Sequence, residues 1–110
     1  MTANGFRKMA LALKGAEERS HMKHPDFRVN GKIFAGLGSP DQTWATVKLS
    51  AEHQATLMRA DAATFVPASG AWGRSGWTSI RLETADPEIV GEALTAAWRI
   101  VSLKKRTAKL

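Results

Sequence analysis

The chain has no cysteine, which removes disulfides, thiolate nucleophiles and cysteine-ligated zinc together. It also lacks any apolar run approaching the ~20 residues that a membrane-crossing helix needs. The stretch Met9 to Leu13 is too short for the core of a signal peptide and lacks its flanks. The cytoplasm is therefore the expected compartment, and no membrane partner is expected. No internal repeat or low-complexity segment interrupts the 110 residues, and chains of this length suit a single domain. Hydrophobic content of 44% with 24% charged residues belongs to globular rather than disordered sequences.

Acids are in deficit, and the deficit is local. The net charge is +6, yet Arg99, Lys104, Lys105, Arg106 and Lys109 supply five bases with no acid between Arg99 and Leu110. Residues 1–98 carry 11 bases against 10 acids, so the body is nearly neutral. The reading is one domain over residues 1–103 followed by a basic tail over 104–110. A pI of 10.2 points toward nucleic acid, although short basic ends also serve simply as solubilising tails.

Hydrophobic spacing gives the order of elements. Phe6, Met9, Ala10, Leu13 and Ala16 recur at helical intervals, predicting an amphipathic helix from about Asn4, as N-cap, to Gly15, as stop. Glu17 to His24 reads as a connector or an irregular edge strand. Phe27-Arg28-Val29 and Lys32-Ile33-Phe34-Ala35 flank Asn30-Gly31, the dipeptide that a type I′ hairpin turn favours. Pairing Val29 with Lys32 predicts Phe27 opposite Phe34. After a turn over Gly36 to Gln42, Ala45, Val47 and Leu49 alternate with Trp44, Thr46 and Lys48, the pattern of a half-buried antiparallel strand. Ser50 caps a second helix to about Arg59. Asp86, Pro87 and Glu88 open a third, mostly buried, with Glu88, Glu92, Thr95, Arg99 and Ser102 as its polar stripe. The result is an α+β two-layer sandwich, α-β-β-β-α-β-β-α, with a five-stranded antiparallel sheet and helices on one face.

Between the last two strands, Gly70, Gly73 and Gly76 recur every third residue around Trp72, Arg74 and Trp77. Glycine permits left-handed backbone and close approach, and two indoles need burial or a flat partner. The connector is expected to be a shaped loop held on the domain, either a recognition surface or a lid of the core. Trp72 is expected outside, and Trp77 is expected to be drawn inward by its strand. Gly-x-x-Gly-x-x-Gly lacks the Gly-Lys-Ser/Thr ending of a P-loop, and a strand follows where a P-loop needs a helix. Arg74 could grip a phosphate or carboxylate, or stack on an indole.

Four blocks in order carry a family likeness: His24-Pro25-Asp26-Phe27-Arg28-Val29 with Lys32-Ile33-Phe34-Ala35, Val47-Lys48-Leu49-Ser50, Gly70-Ala71-Trp72-Gly73-Arg74 with Gly76-Trp77-Thr78, and Ala96-Ala97-Trp98-Arg99. They resemble the MmcQ/YjbR family over most of residues 6–101. One departure is Lys14-Gly15, where family members often carry Pro-Gly. The resemblance implies a fold similar to the type III secretion chaperones. It also implies a DNA-binding label resting on two hairpins that look like a double wing, and fold alone does not fix function.

Catalytic and metal chemistry find little to work with. His21, His24 and Asp26 are metal-ligand types, but a site needs three or four converging ligands, and His53 lies on another element. Ser20-His21 and Ser75 lack a nucleophile elbow and an orienting acid, and neighbouring Glu17 and Glu18 point apart. No cofactor is implied, and an enzyme or small-ligand binder around Trp72 and Arg74 is the least supported reading. The leading expectation is a DNA-binding protein in which Arg28, Lys32, Trp72 and Arg74, with Lys104, Lys105 and Arg106, contact the nucleic acid. The alternative is a non-enzymatic protein- or peptide-binding module, or a homodimer, using the sheet face that the helices leave open.

Overall fold

A computed structural model describes the backbone of residues 1–107 and the side chains through Ser102. Thr2, rather than Asn4, starts the first helix: its hydroxyl accepts from the Gly5 amide at 3.0 Å. The helix, α1, spans Ala3–Leu11 and buries Phe6 and Ala10. It ends before Gly15, whose φ of +75° belongs instead to the reversal into the first strand. That strand, β1, is Ala16–His21, where the sequence alone predicts a connector or an irregular edge strand. Five more strands follow: β2, His24–Val29; β3, Lys32–Leu37; β4, Trp44–Lys48; β5, Phe65–Pro67; and β6, Trp77–Arg81. All neighbours pair antiparallel in the order β1-β2-β3-β4-β6-β5. Six strands among the described residues thus replace the expected five, and β1 is the addition.

The Asn30-Gly31 turn forms with both residues at positive φ and Val29 opposite Lys32. One residue further on, the ladder slips. A bulge puts Phe27 opposite Ala35 and Arg28 opposite Ile33, so the expected Phe27–Phe34 pair does not form. Phe27 instead meets Phe6 of α1, ring centroids 6.1 Å apart. The bulge serves the core, because the extra residue lets the consecutive Phe34 and Ala35 both be fully buried, where strict alternation would send one of them to the open face.

The helices cover one face. Helix α2, Ala51–Ala60, starts at Ser50, whose hydroxyl accepts from the His53 amide at 3.1 Å, and packs against β5. A single 3₁₀ turn over Leu82–Thr84 leads into the last helix, Pro87–Thr107, where the Asp86 carboxylate accepts from the Glu88 amide at 2.9 Å. That helix lies across β2, β3 and β4 and contacts α1. Its Trp98 indole donates to the Lys14 carbonyl at 2.8 Å, fastening the α1–β1 reversal to the helix layer. Ala45, Val47, Ile80, Val90, Ala93 and Ala97 are fully buried between the layers. The two sheet edges are poor templates for another strand: β1 carries Glu17, Glu18 and Arg19, and β5 has only three residues and ends in Pro67.

Candidate binding groove on the open sheet face

Because β4 alternates strictly, Trp44, Thr46 and Lys48 stand on the face away from the helices. Their cross-strand partners on β6 are Arg81, Ser79 and Trp77. Each end of this ladder carries a cation against an indole: Arg81 lies 4.5 Å from the Trp44 ring, and the Lys48 ammonium 5.8 Å from the Trp77 ring. Trp77 is therefore half-buried on the open face rather than drawn into the core. Its neighbours Thr78 and Ile80 take the core side, both fully buried.

The glycine-rich connector is not wholly a loop. Ala71–Arg74 forms one turn of helix, α3; the final helix is α4. The Ser75 hydroxyl donates to the Trp72 carbonyl at 2.9 Å, and the Ser75 amide closes on Ala71 at 3.1 Å. Two of the three glycines are dictated by contact: a Cβ at Gly73 would collide with the Ala68 carbonyl, and one at Gly76 with the Leu49 carbonyl. Leu49 instead donates its amide to the Gly76 carbonyl at 3.0 Å. From beneath, the Gln54 side-chain amide on α2 reaches the Gly73 carbonyl, the Trp77 carbonyl and the Thr78 hydroxyl, each at 3.1 Å. Gln54 had no signal in the sequence beyond lying on a modest amphipathic helix. Its role depends on a fold contact between elements some twenty residues apart.

So held, the connector presents Trp72, 66% exposed, edge-on to Trp77 with ring centroids 6.0 Å apart and planes at 74°, an arrangement that aromatic quadrupoles favour. The two rings, with Ala68 and Ser69, wall one side of a groove of about 310 Å³. His21, His24 and Pro25 of the β1–β2 hairpin wall the other, and Asp26, Ile33, Gly36 and Thr46 contribute to the floor. Gly36 keeps the floor open, since a Cβ there would lie 3.1 Å from the Thr46 hydroxyl. The one buried acid of the floor, Asp26, is 5% exposed and is gripped by Arg28 through two bonds, Nε to Oδ1 at 2.8 Å and Nη2 to Oδ2 at 3.0 Å. That pairing raises the Arg28 pKa above its ordinary value, with desolvation opposing it. It leaves the groove lining close to neutral.

The residues singled out for nucleic acid are dispersed by the fold. Arg28 lies on the open face with its charge committed to Asp26. Lys32 is exposed but pairs with the core-facing Val29, so it belongs to the opposite face. Trp72 and Arg74 are both exposed on α3, and Arg74 makes no ion pair among the described residues. Lys104, Lys105 and Arg106 fall on the last turns of α4, and their side chains lie outside the described residues. His21 and His24 face each other across β1 and β2. No group of three or more metal-ligating side chains forms among the described residues.

An open-faced antiparallel sheet backed by helices, with a tryptophan-walled groove on its bare side, defines an α+β two-layer domain. The YjbR family model matches residues 11–100, and the chain belongs to that family. The match takes in every residue lining the groove. The crystal structure of Deinococcus radiodurans protein DR2400, with the family-model domain DUF419, has a similar fold: TM-score 0.78, 20% sequence identity, covering 92% of this chain and 78% of that one. No curated protein matches the chain.

Proposed function

We propose that this protein is a binding module whose open-face groove receives an apolar or aromatic side chain of a short, extended polypeptide segment. The observation that carries this reading is the exposed Trp72 ring, held by Trp77 over a floor emptied of side chain at Gly36. Exposed aromatic rings beside a preformed apolar cleft are what anchor residues of a partner seek. A volume of about 310 Å³ holds one or two side chains, which suits a peptide anchor better than a large cofactor.

Duplex DNA is the second reading, favoured by exposed Arg74 beside Trp72 and by the basic run at Lys104 to Arg106. It has less support on this face. Two of its three indoles already hold Arg81 and Lys48, Arg28 is neutralised by Asp26, and Lys32 belongs to the other face.

Fluorescence anisotropy with a labelled peptide carrying a single phenylalanine among serines tests the first reading. Saturable binding is expected, weakened roughly tenfold or more in Trp72→Ala. Duplex DNA is the counter-probe: affinity that falls steeply with salt, with a slope near −0.9 per phosphate neutralised, together with no peptide binding, would transfer the function to nucleic acid.

A further inference from the structure

The near-neutral body hides a separation of charge between its two faces. On the open face and the two turns beside the groove stand Arg19, Lys23, Arg28, Lys48, Arg74 and Arg81, against the acids Glu17, Asp26 and Asp41. Up to Arg99, the rest of the body, mainly the helix layer, carries six bases against seven acids. The excess therefore sits around the groove, and it is available there. Arg28 and Asp26 cancel, while the Arg19 side chain is 63% exposed and only loosely approached by Glu17 at 3.7 Å. Lys23, at the tip of the hairpin that supplies His21 and His24, and Arg74, two residues beyond Trp72, are exposed. Lys48 rests on Trp77 at the opposite end. A neutral, apolar cleft is thus ringed by cations that, Arg28 apart, make no close carboxylate pair among the described residues.

Resting on the groove reading above, we propose that the partner segment is acidic: an apolar or aromatic anchor enters between Trp72 and the β1–β2 hairpin, and flanking aspartates or glutamates lie against Arg19, Lys23 and Arg74. A neutral lining surrounded by a cationic rim divides the work in this way, because apolar burial supplies affinity while rim charges supply steering and selectivity. A single strand of nucleic acid fits less well. Such strands need successive stacking faces, and among the described residues Trp72 is the one indole of this face that no cation covers.

The test compares three labelled peptides sharing a central phenylalanine, flanked on both sides by glutamates, serines or lysines, with a single-stranded oligothymidylate alongside. At low ionic strength the glutamate peptide is expected to bind roughly tenfold more tightly than the serine peptide, and the advantage is expected to shrink as the Debye length falls toward about 3 Å near 1 M salt. The combined variant Arg19→Ser, Lys23→Ser and Arg74→Ser is expected to remove most of that advantage. Equal binding of the glutamate and serine peptides, both lost in Trp72→Ala, would overturn the acidic partner and leave the groove reading standing. Preference for the lysine peptide or for oligothymidylate would overturn it as well. Binding of none of the peptides would remove the groove reading and this inference together.

Discussion

Gln54 and Trp77 are joined by a hydrogen bond from side-chain amide to main-chain carbonyl at 3.1 Å, across 23 residues of sequence. The same amide holds Gly73 and Thr78. Helix α2 thereby sets the height at which the two connector indoles stand above the sheet.

Replacing Gln54 by alanine leaves the Gly73 and Trp77 carbonyls and the Thr78 hydroxyl without this donor. The expected cost is about 1–3 kcal/mol, the range for leaving buried polar groups unpaired. A lower urea midpoint with an unchanged m-value is the readout, accompanied by loss of near-ultraviolet tryptophan ellipticity. Gln54→Glu is expected to be at least as damaging, because it turns a donor into an acceptor facing acceptors.

The three connector glycines are expected to differ sharply on substitution by alanine. Gly70 has φ +63° and ψ −141°, a conformation that is essentially glycine's own, with open space around it, so Gly70→Ala meets only a backbone penalty of about 1–3 kcal/mol. Gly73→Ala and Gly76→Ala drive a methyl into the Ala68 and Leu49 carbonyls and are expected to cost about 3 kcal/mol or more. Thermal melts of the three variants check the order. Equal losses at all three positions would contradict the close backbone approach described here.

Asp41 gives a signed pH prediction. Hydrogen bonds from the Thr43 hydroxyl and amide, at 2.6 and 2.8 Å, lower its pKa below the ordinary 3.8. A lowered carboxylate stabilises the fold above its unfolded pKa, and that contribution is lost as pH falls through the folded value. Asp41→Asn is therefore expected to be less stable than the parent at neutral pH. The gap should close on acidification below about pH 3.8, as chemical denaturation at a series of pH values would show.

Much of the architecture was legible because it rests on local rules. Asn30-Gly31 formed its hairpin, Ser50 and Asp86 capped their helices, and Trp44 alternated away from Val47. What sequence missed is what depends on tertiary contact. Strand β1 has the exposed composition Ala-Glu-Glu-Arg-Ser-His and carries no hydrophobic alternation to announce it. Its pairing is decided by β2. The bulge after Phe27 was invisible because a regular hairpin explains the same residues until Phe6 claims the ring. Trp72 was anticipated as the exposed ring, whereas Trp77 was expected inward and instead stands on the open face beneath Lys48. The groove brings His24, Gly36, Thr46 and Trp72 together from four separate segments, and no spacing in the chain records that.

Trp72→Ala is expected to leave stability nearly unchanged, since the ring is 66% exposed and exposed substitutions usually stay within about 0.5 kcal/mol. Its effect should fall on binding, which separates a recognition ring from a structural one.

The most direct test of the groove is an amide and indole chemical-shift map of the protein titrated with the phenylalanine–glutamate peptide. The account predicts saturable shifts concentrated at Gly36, Thr46, Ser69 and the Trp72 and Trp77 indoles, with the α4 stripe of Glu88, Glu92 and Thr95 unmoved. Shifts confined to that stripe, or no shifts at saturating peptide, would contradict it.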